Sequence, residues 1–202
     1  MPGKGCPVDR KTQDVKPPRA WRLAVAAAFA VAFLAVDQLT KVLVRATLGS
    51  GTVGVQLIPG IIGFEYVENT GVAFGMASGY GYTFVLLAAV VVVVSIAYLW
   101  RAPLISRLEA VGLGMLAGGA IGNAVDRLVF GFVTDFIATE FINFPVFNVA
   151  DIGITVGVVI AFVGFLFSPA NAEAKRRAEE DRAERLARRS DSKKVDDTRK
   201  GR

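Results

Sequence analysis

Residues 82–99 read Y-T-F-V-L-L-A-A-V-V-V-V-V-S-I-A-Y-L, with no charged residue, and Trp100–Arg101 follow directly. As a helix rising 1.5 Å per residue this stretch is roughly 27 Å long, close to the hydrocarbon core of a bilayer at about 30 Å. A Trp–Arg pair at its end is the kind of anchor that sits at a membrane interface. Three other stretches share this character: residues 21–44, 108–130 and 147–167, the last stopped by Pro169. The first is a retained span rather than a cleavable signal peptide. Its apolar run outlasts a usual signal core, and D-Q-L-T-K follows it instead of a small-residue cleavage site. In the third, Gly114, Gly118 and Gly122 form a ridge on which another helix can pack closely. The fold expected is an all-α polytopic membrane protein with four transmembrane helices and a small extracytoplasmic β element.

That β element comes from residues 45–79, where glycines and Pro59 punctuate short β-prone pieces at 53–58 and 61–67. Residues 131–146 read as a glycine- and aromatic-rich connector. Residues 1–20 read as a disordered cytoplasmic arm, 21–168 as the membrane domain, and 169–202 as a charged, partly helical cytoplasmic tail near anionic lipid.

The chain has 202 residues, 53% hydrophobic and 20% charged, with a net charge of +5. Of its 23 Lys and Arg, twenty lie before residue 23, at 101–107 or after 170. The remaining three are Lys41, Arg45 and Arg127. Four spans with both termini cytoplasmic satisfy the positive-inside rule, and Arg45 is then an isolated cation at a helix end on the far side. The same distribution excludes a nucleic-acid partner, which requires a clustered basic face on a folded module. With no His and one Cys, at position 6, histidine–zinc sites, Ser-His-Asp and Cys-His catalysis and an intrachain disulfide are all excluded.

Ionisable residues within spans are costly and point to function. Asp37 is 15 residues past Arg22, Asn123 is 16 past Arg107, and Asp151 lies 17 before Ser168. At 1.5 Å per residue all three sit roughly 22–26 Å from the inner face, near the outer interface. Asp37 and Lys41 are spaced i,i+4 and pair on one face. Asp126 and Arg127, a turn beyond Asn123, likewise read as a carboxylate with its own cation, and Asn123 and Asn148 as interhelical hydrogen-bonding groups. Asp135 and Asp151 have no cation within four residues. Two such carboxylates facing each other in a low-dielectric site share one proton. One can then take a proton from water while the other polarises a carbonyl, with no metal or cofactor. A small transporter or ion-translocating bundle lined by the same Asp, Asn and Arg is the alternative, but it expects polar residues deeper in the spans.

Five strings, D-Q-L-T-K (37–41), N-T-G-V-A-F (69–74), G-G-A-I-G-N-A-V-D-R (118–127), V-T-D-F (133–136) and F-N-V-A-D (147–151), together resemble the bacterial lipoprotein signal peptidase family, signal peptidase II. They occur in that family's order across roughly residues 20–168. The resemblance implies an intramembrane aspartic endopeptidase of the bacterial plasma membrane that removes signal peptides from diacylglyceryl-modified prolipoproteins, cutting just before the lipidated cysteine. It makes Asp135 and Asp151 the catalytic pair. Asp37, Lys41, Asn69, Gly71, Asn123, Asp126, Arg127 and Asn148 become the substrate-binding and supporting shell, with residues 45–79 as a small β-cradle at the membrane surface. Membrane lipids and globomycin-type cyclic peptides are the further partners it implies. The arm and the tail lie outside the resemblance.

Overall fold

A computed structural model of the chain describes residues 18–49, 54–71, 81–102, 104–168, 171–172 and 174–185. Four helices in it are long and apolar enough to cross a membrane: α1 (Arg19–Thr47), α2 (Gly81–Arg101), α3 (Arg107–Phe130) and α4 (Val149–Leu166). Three short strands, β1 (Val55–Ile58), β2 (Ile62–Asn69) and β3 (Val133–Thr139), form an antiparallel sheet in the order β1-β2-β3.

Local chemistry sets the ends of these elements. Ser106 caps α3, its side chain accepting from the Glu109 N–H while Glu109 reaches back to the Ser106 N–H. Gly131, at φ +82°, stops α3 in the left-handed conformation that glycine adopts without steric cost. The β1–β2 turn is Pro59–Gly60, with Gly60 at φ +73° and the Ile61 N–H donating to the Ile58 carbonyl. Pro then Gly at its centre is the signature of a type II turn. At 29 residues, α1 is roughly 44 Å long, well beyond what the hydrocarbon core requires. Its last turns carry Lys41 and Arg45 up to the sheet.

Helix α3 is the axis of the bundle and packs on the other three helices. Its glycines face two ways. A Cβ on Gly114 or Gly118 would strike the backbone of Ala26 or Ala30 on α1, and one on Gly112 or Gly119 would strike α4 at Ala161 or Ala150. Backbones thus approach closely where hydrocarbon supplies little drive for association. Outward-facing Val, Leu and Phe on α1, α2 and α4 are exposed, as lipid-facing surfaces are.

The four spans and their order match the sequence reading, with ends shifted by a few residues. The segment 131–146 differs: much of it is a strand, because β3 completes the sheet begun by β1 and β2. Residues 174–185 are helical. Residues 1–17 and 186–202, with Cys6, and residues 72–80, with the end of N-T-G-V-A-F, lie outside the described residues.

Candidate active site

Asn148 and Asp151 begin α4 as a second capping box. The Asn148 side chain accepts from the Asp151 N–H at 3.0 Å, and the Asp151 carboxylate accepts from the Asn148 N–H at 3.1 Å. F-N-V-A-D is therefore a helix-start signal that also fixes the direction of a carboxylate. The remaining Asp151 oxygen accepts from Asn123 on α3 at 2.8 Å.

Asp135 arrives from the sheet. In the β2–β3 register Asn69 stands opposite Val133, so its side chain shares a face with Asp135 two residues further on. Asn69 donates to Asp135 at 2.8 Å and Asn148 donates to its other oxygen at 2.6 Å. The carboxylate is 2% exposed. Burial pushes the Asp135 carboxyl up to about 6, against the Asn69 hydrogen bond that lowers it and with the Asp151 charge that raises it further.

Asn148, wholly buried, spends its second side-chain N–H on the Asn123 oxygen at 3.1 Å, which also accepts from Lys41 at 2.9 Å. Lys41 completes its three bonds with Asp37 at 2.9 Å and Asp126 at 3.4 Å, all three side chains being fully buried. Asp37 in turn accepts from the Ala150 N–H at 2.9 Å, tying α1 to the first turn of α4.

Asp135 and Asp151 open into one cavity of about 480 Å³. Asn69, Gly71, Asn123 and Arg127 supply its polar wall, and Val133, Phe144–Phe147, Ile152 and Val156 its apolar one. Asp37, Lys41, Asp126 and Asn148 stand behind this surface as buried support. All ten residues singled out in the sequence therefore gather at one end of the bundle, six on the cavity wall and four behind it.

One expected pairing fails. Asp126 does not pair with Arg127. Consecutive helical residues point about 100° apart and do not face each other. Asp126 faces α1, where it meets Lys41 and Arg45, and it accepts from the Thr134 N–H. Arg127 turns to the cavity, donating to the Gly71 carbonyl at 3.0 Å and lying 5.0 Å from the Phe84 ring centre. Gln38, whose amide reaches Asp37, the Gly122 carbonyl and Asp126, also belongs to this network. So do Arg45 and Thr134; Gln38 and Thr134 lie within D-Q-L-T-K and V-T-D-F, but nothing in their residue type or spacing marks them out. The 144–147 wall carried no signal beyond its aromatic content.

The family model described as Signal peptidase (SPase) II matches residues 29–167. Lipoprotein signal peptidase of Nostoc punctiforme is 42% identical over 142 residues, spanning 70% of this chain and 88% of that one. Its counterpart in Gloeobacter violaceus is 38% identical over 164 residues, spanning 81% and 91%. A solved structure described as a bacterial membrane enzyme, determined by the in meso method at 1.9 Å resolution, superposes with a TM-score of 0.64 at 28% identity. It covers 72% of this chain and 94% of its own.

Proposed function

Since this chain belongs to the signal peptidase II family, as a multi-pass membrane protease that removes signal peptides from prolipoproteins, we propose that Asp135 and Asp151 are its catalytic dyad. The observation that carries this reading is that both carboxylates open into the same cavity while one residue, Asn148, holds them both. The pair shares one proton, and Asp135, pushed up to about 6, is its holder. Asp151 takes a proton from the attacking water, and Asp135 donates to the scissile carbonyl oxygen as the tetrahedral intermediate forms. Collapse of that intermediate returns a proton to the departing amine. Asn69, Asn123 and Asn148 hold the carboxylates in place, and Arg127 fixes the Gly71 rim.

The peptidase domain spans 21–168, with both termini cytoplasmic and the site near the outer leaflet. Support comes from the twenty cations gathered at the termini and the 101–107 connector, and from polar residues of three helices at one depth. A lipid-modified precursor has its cleavage point at that depth and its acyl chains in the adjoining leaflet, so lipid contacts belong to the same picture. Globomycin-type peptides would compete for the cavity. Reporter fusions at Gly54 and at the C-terminus should report opposite compartments, and identical compartments would sink this topology.

The dyad is tested by cleavage of a purified diacylglyceryl-modified prolipoprotein, with turnover expressed per folded enzyme. Asp135→Asn and Asp151→Asn should each be inactive while still accumulating in the membrane. Substantial turnover by either variant overturns the assignment. The transporter reading is not favoured, because the family is one of peptidases.

A further inference from the structure

Arg45 has no part in the dyad or in the cavity wall, yet it holds three residues that straddle the turn from α3 into β3. Its guanidinium donates to the Thr134 hydroxyl at 2.7 Å, lies 3.5 Å from the Asp126 carboxylate, and sits 4.4 Å from the Phe130 ring centre. Asp126 closes the loop by accepting the Thr134 N–H at 2.9 Å. Between Phe130 and Thr134 lies Gly131, whose positive φ makes the turn.

The placement matters because of strand periodicity. Thr134 and Asp135 are consecutive in β3 and point to opposite faces. Both are buried, at 0% and 2% exposure. One face of the strand is therefore fastened to α1 and α3, while the other presents the carboxylate. The β2 pairing runs Asn69–Val133, Glu68–Thr134 and Val67–Asp135 up to an irregularity between Phe64 and Val67, so backbone pairing sets the register at Asp135 while the fastening of Thr134 sets how the strand sits against the bundle. We propose that Arg45 is a positioning residue for Asp135: by stapling Thr134, Phe130 and Asp126 together from the end of α1, it fixes how far β3 carries the Asp135 carboxylate toward Asp151. The role rests on the dyad reading. It asks for a guanidinium in particular, because one nitrogen, Nη1, meets both the Thr134 hydroxyl and the Asp126 carboxylate while the planar group still lies over the Phe130 ring, a combination that the compact point charge of an ammonium does not reproduce.

The test uses full-length enzyme in lipid nanodiscs acting on a diacylglyceryl-modified prolipoprotein, with folded protein quantified for each variant. Arg45→Met should lower kcat on the order of 10- to 100-fold with KM little changed, since small misplacements of a catalytic group cost that much. Arg45→Lys should fall between Arg45→Met and the native enzyme. Thr134→Val, which removes one hydroxyl at nearly constant shape, should move kcat the same way. The double variant should be no worse than Arg45→Met alone, because the two residues act through one contact. Where Arg45→Met fails to fold, Thr134→Val carries the test.

A merely structural role would not move the pH profile of the enzyme that remains folded. Asp135 is faced by Asp151 from α4, Lys41 from α1 and Arg127 from α3, and by the neutral Asn69 from β2. All four are untouched in these variants. A loosened β3 should weaken the Asp135–Asp151 coupling, so the two apparent pKa values of the kcat profile should draw together. Native kcat per folded enzyme, or a lowered kcat with the native pH profile, overturns the proposal. Asp135→Asn, assayed alongside, separates the two failures. If it retains turnover, the dyad reading falls and this role with it. If it is inert while Arg45→Met behaves as the native enzyme, only the positioning role falls.

Discussion

The Asn148 side chain donates to Asp135 at 2.6 Å from its position as the N-cap of α4, so the residue that starts the last membrane helix also anchors the sheet's carboxylate. A helix cap and a hold on the Asp135 carboxylate are one amide here, and both N–H donors and the oxygen of that side chain are used.

Replacing Asn148 separates these duties. Loss of the cap in Asn148→Ala should cost about 0.5–2 kcal/mol of stability. Turnover per folded enzyme should fall by on the order of 100-fold, because the Asp135 carboxylate loses the amide that holds it and the first turn of α4, which directs Asp151, loses its cap. Thermal unfolding and single-turnover cleavage on the same preparation check the two numbers. A turnover loss no larger than the folded fraction explains would count against the bridging role.

Lys41 is the buried countercharge facing two aspartates, Asp37 and Asp126, the second of which it shares with Arg45. Lys41→Met leaves Asp37 and Asp126 short of their countercharge, and breaking a buried pair in this way costs roughly 3–5 kcal/mol. The expected result is a sharply lower unfolding temperature in detergent. Adding Asp37→Leu should recover part of the loss, since an uncompensated buried charge is removed with it. A double variant no more stable than the single one contradicts this account.

The elevated Asp135 carboxyl makes a signed prediction for stability. An unfolded Asp titrates near 3.9, whereas Asp135 in the folded enzyme does so at about 6. Between those values the folded state holds the extra proton, so stability falls as pH rises from about 4 to about 6 and then levels off. Asp135→Asn removes this contribution. The native-minus-variant difference in unfolding free energy should therefore decline across that window; a flat or rising difference refutes the shift.

Gly122 stands where a Cβ would collide with the Asp37 carboxylate. That carboxylate is pinned by Lys41 and by the Ala150 N–H, so it has nowhere to move. Gly122→Ala should destabilise the bundle by about 1–3 kcal/mol, as overpacking does, and depress activity. Gly131→Ala meets no neighbour, and its cost comes from the left-handed φ alone, roughly 1–2 kcal/mol. Comparing the two variants by unfolding temperature and by turnover per folded enzyme checks this, since Gly122→Ala should show the larger loss of both.

Four spans, their order, the level of the polar residues and the small-residue ridge were all legible in the sequence. A bilayer demands some twenty apolar residues in succession and makes each polar exception conspicuous, so these features are written locally along the chain. The ten residues that gather at the cavity were legible through the five short strings that carry them, and those inside the spans for the bilayer's reason as well. Tertiary structure alone decided the partners. That 133–139 is a strand depends on β2 offering an edge, a contact between segments some 65 residues apart. That Asp126 answers Lys41 and Arg45 rather than Arg127 depends on where α1 crosses α3, while the helix itself turns neighbouring side chains apart. Arg45 looked like an isolated cation at a helix end because its three contacts lie more than eighty residues downstream, and only the packed bundle brings them within reach.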